Sequence, residues 1–350
     1  MEELTDFLES GEDLIEIIKI QVDLGQSSQR IDQFLANRIP KVSRSRIQAA
    51  ILAGLVQVNQ KLIKASYKIG GGDQIEFKMP VFHDSTDIIP EDISLNIVYE
   101  DDTLLIVNKA SGMVVHPAAG VKSGTLVNAL AYHLNNHKTR DELLERHRYG
   151  LVHRIDKETS GLLVVAKTEF AHAHLAKQFF DHTIEREYIA LVWGEPDPPS
   201  GRIEGNIGRD PKHRQRQCIF PEGLEGKHAV THFETIESYY YTSLIRCKLE
   251  TGRTHQIRVH MKYIGHPLFQ DDKYGGDRIL KGTIFNKYKQ FVDNCFEIMP
   301  RLALHARSLG FIHPVTHQKL YFEASLPEDL HALIEKWKNY ATSRKEHLND

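Results

Sequence analysis

Leu151-Val152-His153-Arg154-Ile155-Asp156-Lys157-Glu158-Thr159-Ser160-Gly161 runs without a break into Leu162-Leu163-Val164-Val165-Ala166. The second part is short, apolar and rich in β-branched residues, the composition of a buried strand. The first part is polar and closes on Thr159-Ser160-Gly161, ordinary turn chemistry. A polar loop feeding a buried strand is a common support for a functional side chain. On residues alone Asp156 has two readings. It is either a working carboxylate or an Asx-turn residue bonded to its own loop. His153 alone reads as a structural histidine.

Outward from this stretch the chain mixes strands and helices without a repeat. Strands are expected at Leu104–Val107, Met113–Val115, Leu162–Ala166, Arg186–Trp193 and Ser243–Leu249. Helices are expected at Thr125–His133, Ala171–Phe180, Thr254–Ile264 and Glu328–Trp337. In the strand around Tyr188, alternation puts Tyr188, Ala190 and Val192 on one face and Ile189, Leu191 and Trp193 on the other. On the helix at 254–264, His255, Arg258 and Lys262 share a face. In the last helix Leu330, Leu333, Ile334 and Trp337 form a packing stripe. The mixture predicts an α+β domain on a mixed sheet.

The first third is different. Residues 1–16 carry seven acids and no base, which predicts a flexible tail. A short helix is expected after Ser28 and a second one after Ser43 or Ser45, then a strand at Leu55–Val58, the turn Asn59-Gln60, and a strand at Gln74–Phe77. Residues 40–78 carry seven Lys or Arg against Asp73 and Glu76, a candidate phosphate-contacting surface. The expected division is a tail at 1–16, a small module at 17–78, a linker at 79–93, a main domain at 94–335 and a C-terminal tail at 336–350.

Composition narrows the class. With 41% hydrophobic and 26% charged residues the chain reads as a soluble globular protein. Cys218, Cys247 and Cys295 are scattered and odd in number, which argues against a disulfide framework and for a reducing, cytoplasmic setting. No apolar run approaches the roughly 20 residues that span a bilayer, so no membrane role is expected. His172 and His174, or His255 and His260, are poorly spaced for one metal site, and there is no HExxH. Metal catalysis is not expected.

HRIDKETSG (153–161) resembles the HRLDxxTSG signature of the RluA/RluD-type pseudouridine synthases. REYIALVWG (186–194), LETGRTHQIRVHMKYIGHPLFQDDKYGG (249–276), RLALHARSLGFIHPVT (301–316) and LLIVNKASGMVVHP (104–117) resemble further elements of that family, in its order. The run RIDQFLANRI through KIGGGDQIEF resembles the small RNA-binding module named after the fourth protein of the ribosomal small subunit. The resemblance implies a pseudouridine synthase fold with a mixed, mostly antiparallel central sheet flanked by helices, plus a small N-terminal α/β RNA-binding module. It implies isomerisation of uridine to pseudouridine in large-subunit ribosomal RNA or its assembly precursor. That reaction oxidises nothing and releases no group, so no cofactor or metal is expected, and a monomer is expected because duplex-scale RNA contacts need no symmetry partner.

The resemblance also implies roles. Asp156 is the catalytic carboxylate, Arg258 the guanidinium that keeps it ionised against desolvation, and Tyr188 a stacking and proton-transfer group. Arg154 fills the gap left by an extruded base. Arg44 and Arg46, at the start of the module's second helix, and Arg209, Lys212 and Arg214, in a basic loop, contact RNA. Three departures stand out. Lys109-Ala110-Ser111-Gly112 lacks the family's proline, Gln270 stands for a glycine, and 277–300 reads as an insertion. If Gln270 needs a positive φ, it costs about 1 kcal/mol. The alternative is a non-catalytic RNA-binding assembly factor.

Overall fold

The computed structural model describes residues 15–40, 42–80, 88–117, 120–136, 150–213, 215–221, 223–282 and 285–349. Most of the acidic tail and residues 81–87 of the expected linker lie outside the described residues.

The N-terminal module consists of β1 (Ile15–Gln21), α1 (Ile31–Arg38), α2 (Arg44–Leu52), β2 (Val56–Val58), β3 (Lys61–Leu62) and β4 (Gln74–Pro80). Its antiparallel sheet has the order β1-β4-β2-β3. Asn59 and Gln60 have φ of 49° and 63°, the left-handed pair that a tight two-residue hairpin requires. Ser43 caps α2 by accepting from the Arg46 amide at 3.4 Å. Phe34, Leu35, Ile47, Ile51, Val56 and Phe77 fill the core.

The remainder is one large sheet with helices on it. Its elements are β5 (Ile97–Glu100), β6 (Leu104–Lys109), α3 (Leu126–Asn136), β7 (Ser160–Ala166), α4 (Glu169–Phe180), β8 (Glu185–Trp193), β9 (Ser200–Arg209) and β10 (Gln217–Phe220). Then come β11 (Lys227–Ser238), β12 (Thr242–Leu249), α5 (Gln256–Tyr263), α6 (Asn286–Ile298), β13 (Leu304–Ile312), β14 (Lys319–Glu323) and α7 (Glu328–Asn349). The strand order is β10-β9-β11-β12-β8-β13-β7-β6-β5, with β14 also on β13. Among the described residues only β13 and β7 pair in parallel, through His305–Ser160 and Ala306–Gly161. The mixed, mostly antiparallel α+β fold is therefore as expected.

β8 is central and buried on both faces. Tyr188, Ala190 and Val192 join one apolar cluster with Leu163 and Val165, while Ile189, Leu191 and Trp193 join another with Trp337. Thr168 caps α4 by accepting from the Ala171 amide at 3.1 Å. The module docks on α4: Ala173, Phe170 and Phe180 pack into its core, and Arg46 Nε lies 3.4 Å from Glu169 Oε1.

Three expectations change. Met113–Val115 is no strand; the Val114 and Val115 carbonyls accept from Leu126 and Val127 and hold the start of α3. Residues 277–300 contain α6, whose Tyr288, Val292 and Cys295 are buried around Trp193 and Trp337, so the segment is part of the core. Residues 336–349 continue α7 instead of forming a tail, because Trp337 and Ala341 extend the buried stripe.

Candidate active site

The loop before β7 is over-determined. Gly161 has φ 117°, and a Cβ there would meet the Ala306 carbonyl oxygen at 2.2 Å, so only glycine lets β7 lie this close to β13. The Thr159 amide donates to the Asp156 carbonyl at 3.1 Å, closing the turn with main chain. The Lys157 carbonyl accepts from the Gly112 amide at 2.9 Å and from Lys109 Nζ at 3.0 Å. Arg301 donates to the Glu158 carbonyl at 3.0 Å while its other nitrogens hold Asp329, at the start of α7, at 2.7 and 2.8 Å. The side chain of Asp156 is thus left out of the turn, against the Asx-turn reading.

Its partner is Arg258. Nη1 donates to Asp156 Oδ2 at 3.0 Å, and Nε and Nη2 hold the two oxygens of Asp271 at 2.7 Å each. Asp271 is fully buried and also takes the Tyr274 amide at 3.2 Å. The guanidinium lies 5.0 Å over the Tyr274 ring. One charged fork is therefore fixed by a buried carboxylate and an aromatic face, and it presents a single N–H to Asp156. Among the described residues no group bonds Asp156 Oδ1. Burial works against the charge on Asp156, but His255, Arg258 and Arg154 outweigh it and hold the carboxyl at about 2. Burial would lower Arg258 too, but Asp271 and Asp156 push it further up.

His255 is not on the helix face expected of it. Its φ is 56°, so it stands left-handed just before α5, and its Nε2 lies 4.0 Å from Asp156 Oδ2. The Tyr274 hydroxyl accepts from the Gln217 amide at 2.8 Å and meets His255 Nδ1 at 2.8 Å. Burial keeps His255 at about 4, hence neutral at neutral pH.

Tyr188 is buried in the cluster that holds Ile155 and Ala306, and burial, with Asp156, pushes its phenol up. Arg154 is exposed, and its charge reaches both Asp156 and His255. Arg209 ends β9 and Lys212 is exposed in the loop that follows, with its amide on Asp210 at 2.8 Å. That loop leads to Gln217, whose amide touches Tyr274. Arg214 lies outside the described residues.

In the module, Arg44 is half exposed and bonds Asp32 at 2.9 Å. Arg46 is not available to RNA as expected: it is buried against Glu169, because its turn of α2 faces α4. Reading the sequence alone also missed Asp271, Tyr274, Lys109 and Arg301 as supports. Gln270 does adopt the positive φ considered for it, 62°. Its neighbour Asp271 is a direct partner of Arg258, so that departure adjoins the site instead of lying apart from it.

The chain is similar to known proteins. Residues 103–263 match the family described as RNA pseudouridylate synthase, and residues 29–75 match the S4 domain. An uncharacterized RNA pseudouridine synthase of Chlorobaculum parvum is 44% identical over 93% of this chain and 98% of its own. The ribosomal large subunit pseudouridine synthase D of Neisseria meningitidis serogroup B is 43% identical over 91% of this chain and 81% of its own. The solved structure of human RNA pseudouridylate synthase domain containing 1 superposes with a TM-score of 0.50 at 26% identity, covering 69% of this chain and 89% of that one.

Proposed function

Because this chain belongs to the RNA pseudouridylate synthase family and carries an S4 domain, we propose that it isomerises uridine in large-subunit ribosomal RNA with Asp156 as its catalytic carboxylate. It acts as a monomer in the cytoplasm. The reading rests on one observation: Arg258, locked by Asp271, donates a single bond to Oδ2 of Asp156. The carboxylate is thereby kept ionised and oriented while Oδ1 remains for the substrate.

The chemistry asks for little else. The N1–C1′ bond of uridine breaks, the uracil turns, and C5 bonds to C1′; the hydrogen leaves C5 and N1 ends protonated. An ionised carboxylate serves this by attack on the nucleotide or by stabilising an oxocarbenium-like sugar. The uridine must first leave its stack, at a cost of a few kcal/mol. Arg154, at the rim, takes the vacated position, because a planar guanidinium can stack there. Tyr188 stacks on the uracil, and its raised pKa keeps the phenol protonated to give or relay a proton. Arg44, Arg209 and Lys212 contact the RNA backbone.

The test uses unmodified large-subunit ribosomal RNA carrying tritium at uridine C5. Wild type should release tritium, and Asp156→Asn should lose more than about a thousandfold in rate, as expected for a group in contact with the reacting atoms. Normal release by Asp156→Asn would remove Asp156 from the reaction. Binding without release by wild type would favour an assembly factor.

A further inference from the structure

Four arginines are buried among the described residues: Arg46, Arg186, Arg258 and Arg301. Three have a carboxylate, respectively Glu169, the Asp156–Asp271 pair, and Asp329. Arg186 has none. It is 9% exposed, its Nε is buried without an acceptor, and its guanidinium rests 5.2 Å over the Phe179 ring. Phe179 is in turn stacked on His153 at 4.7 Å, and His153 Nε2 is occupied as acceptor of the Val164 amide. His153 is neutral, so it offers the guanidinium no countercharge. Burial pulls the Arg186 pKa down, the mark of a charge taken out of water without compensation.

An uncompensated buried guanidinium is costly. Its surroundings say what would relieve that cost. Nη1 passes over Gly252, where a Cβ would meet it at 2.8 Å, and Gly252 is exposed. The head group therefore comes out at the surface over a residue with no side chain to cover it. The place is next to the reaction centre. Arg186 is two residues from Tyr188 on the same face of β8, and Gly252 is three residues before His255. A planar fork beside the catalytic pocket of an enzyme acting on RNA fits a phosphate better than any other group of that polymer.

We infer that Arg186, reaching out over Gly252, is an anion subsite that takes one phosphate of the RNA next to the extruded uridine. The inference rests on the reading of this chain as acting on ribosomal RNA. When the phosphate arrives, the stranded charge gains its partner, so part of the binding energy comes from relieving a cost already present in the free protein. The subsite would fix the backbone relative to Asp156 without reading a base.

Arg186→Met tests it, because the thioether keeps the apolar stem on Phe179 and drops the charge. With unmodified large-subunit ribosomal RNA between about 50 and 200 mM KCl, the slope of log affinity against log salt should shrink by about 0.7–0.9, the value of one phosphate. The dissociation constant should rise about tenfold, in line with one lost charge-assisted bond, and KM should take more of the loss than kcat. The Tm should hold or rise, since an unpaired charge has gone. Arg186→Lys should keep the slope and lose part of the affinity.

Gly252→Ala should displace the guanidinium and shrink the slope with the charge still present, and adding Arg186→Met should cost nothing more. A wild-type slope in Arg186→Met overturns the inference. So does a lowered Tm in Arg186→Met combined with a wild-type slope in Gly252→Ala, which would make Arg186 a packing residue. If wild type itself neither binds that RNA nor releases tritium from it, the functional reading fails and the subsite falls with it.

Discussion

Two carboxylate–guanidinium centres in this molecule are built in opposite senses. In the module, Asp32 is fully buried and accepts from Arg30, Arg44 and Gln48, whose bonds hold its pKa far below the usual carboxylate range. The side chains of Arg30 and Arg44 remain 40% and 45% exposed. In the main domain the guanidinium is the buried partner: Arg258 is 4% exposed and Asp156 is 20% exposed. Burying the anion presents cations to solvent, which suits phosphate. Burying the cation presents an ionised carboxylate, which suits a reaction on a nucleotide. The same pair of groups serves binding in one place and chemistry in the other, depending on which one the core encloses.

The largest effect that separates the two regions should come from acid. The main domain buries neutral histidines: His153 is held at about 3, and His255, His260 and His305 at about 4, each chiefly by burial. Their unfolded pKa is near ~6.5, so below that pH the unfolded chain binds protons the folded chain refuses. Stability is full above pH ~6.5 and falls as pH drops towards 4, by at most ~1.4 kcal/mol per pH unit for each histidine. Residues 15–80 contain no histidine. Asp32 is shifted down as well, but from the much lower normal value of a carboxylate, so its contribution survives until pH falls below that range. Hydrogen exchange from pH 7 to 4 should therefore show residues 95–335 losing protection before the module. Equal loss in both would refute the assignment.

Next in size is the removal of the buried cation. Arg258→Met strands Asp271 in the core and should cost about 3–5 kcal/mol, the usual penalty for breaking a buried pair. Adding Asp271→Leu removes the stranded anion and should recover most of that stability. It should not recover tritium release, because Asp156 would still lack the bond that orients it. Activity restored along with stability would mean that Arg258 is only a core residue.

Reading the sequence located Asp156, Arg258 and Tyr188 by motif, and the alternation along β8 divided its residues correctly between two cores. Local periodicity was enough there, because β8 is long and covered on both sides. It failed for β9, whose Gly201, Gly205 and Gly208 look like loop, and for its partner β11, both of which are held by cross-strand pairing of 200–207 with 227–234. It also failed at His255, where a left-handed residue interrupts what reads as one helix from Thr254. Asp271 was out of reach for another reason. Its role depends on a turn that returns it to Arg258, and a bond across 13 residues of chain leaves no periodic trace. The stripe Tyr288, Val292 and Cys295 was present at helical spacing, and only the reading of 277–300 as an insertion concealed it.

The smallest expected effect tests the module's half of the comparison. Arg44 and Arg46 are separated by one residue on α2, and the sequence treats them as a pair. The fold does not: Arg46 points to Glu169 on α4, while Arg44 stays at the surface on Asp32. Arg46→Ala should therefore lower stability by on the order of 2 kcal/mol, through the docking contact, and leave the salt dependence of RNA binding as in wild type. Arg44→Ala should do the reverse. Asp32 keeps Arg30 and Gln48, so the Tm should hardly move, while the salt slope should shrink by about 0.7–0.9 for one lost phosphate contact. Parallel thermal melts and filter binding of the two variants against the same ribosomal RNA give four numbers. If the two arginines trade these roles, the module does not meet RNA through the exposed side of its buried carboxylate.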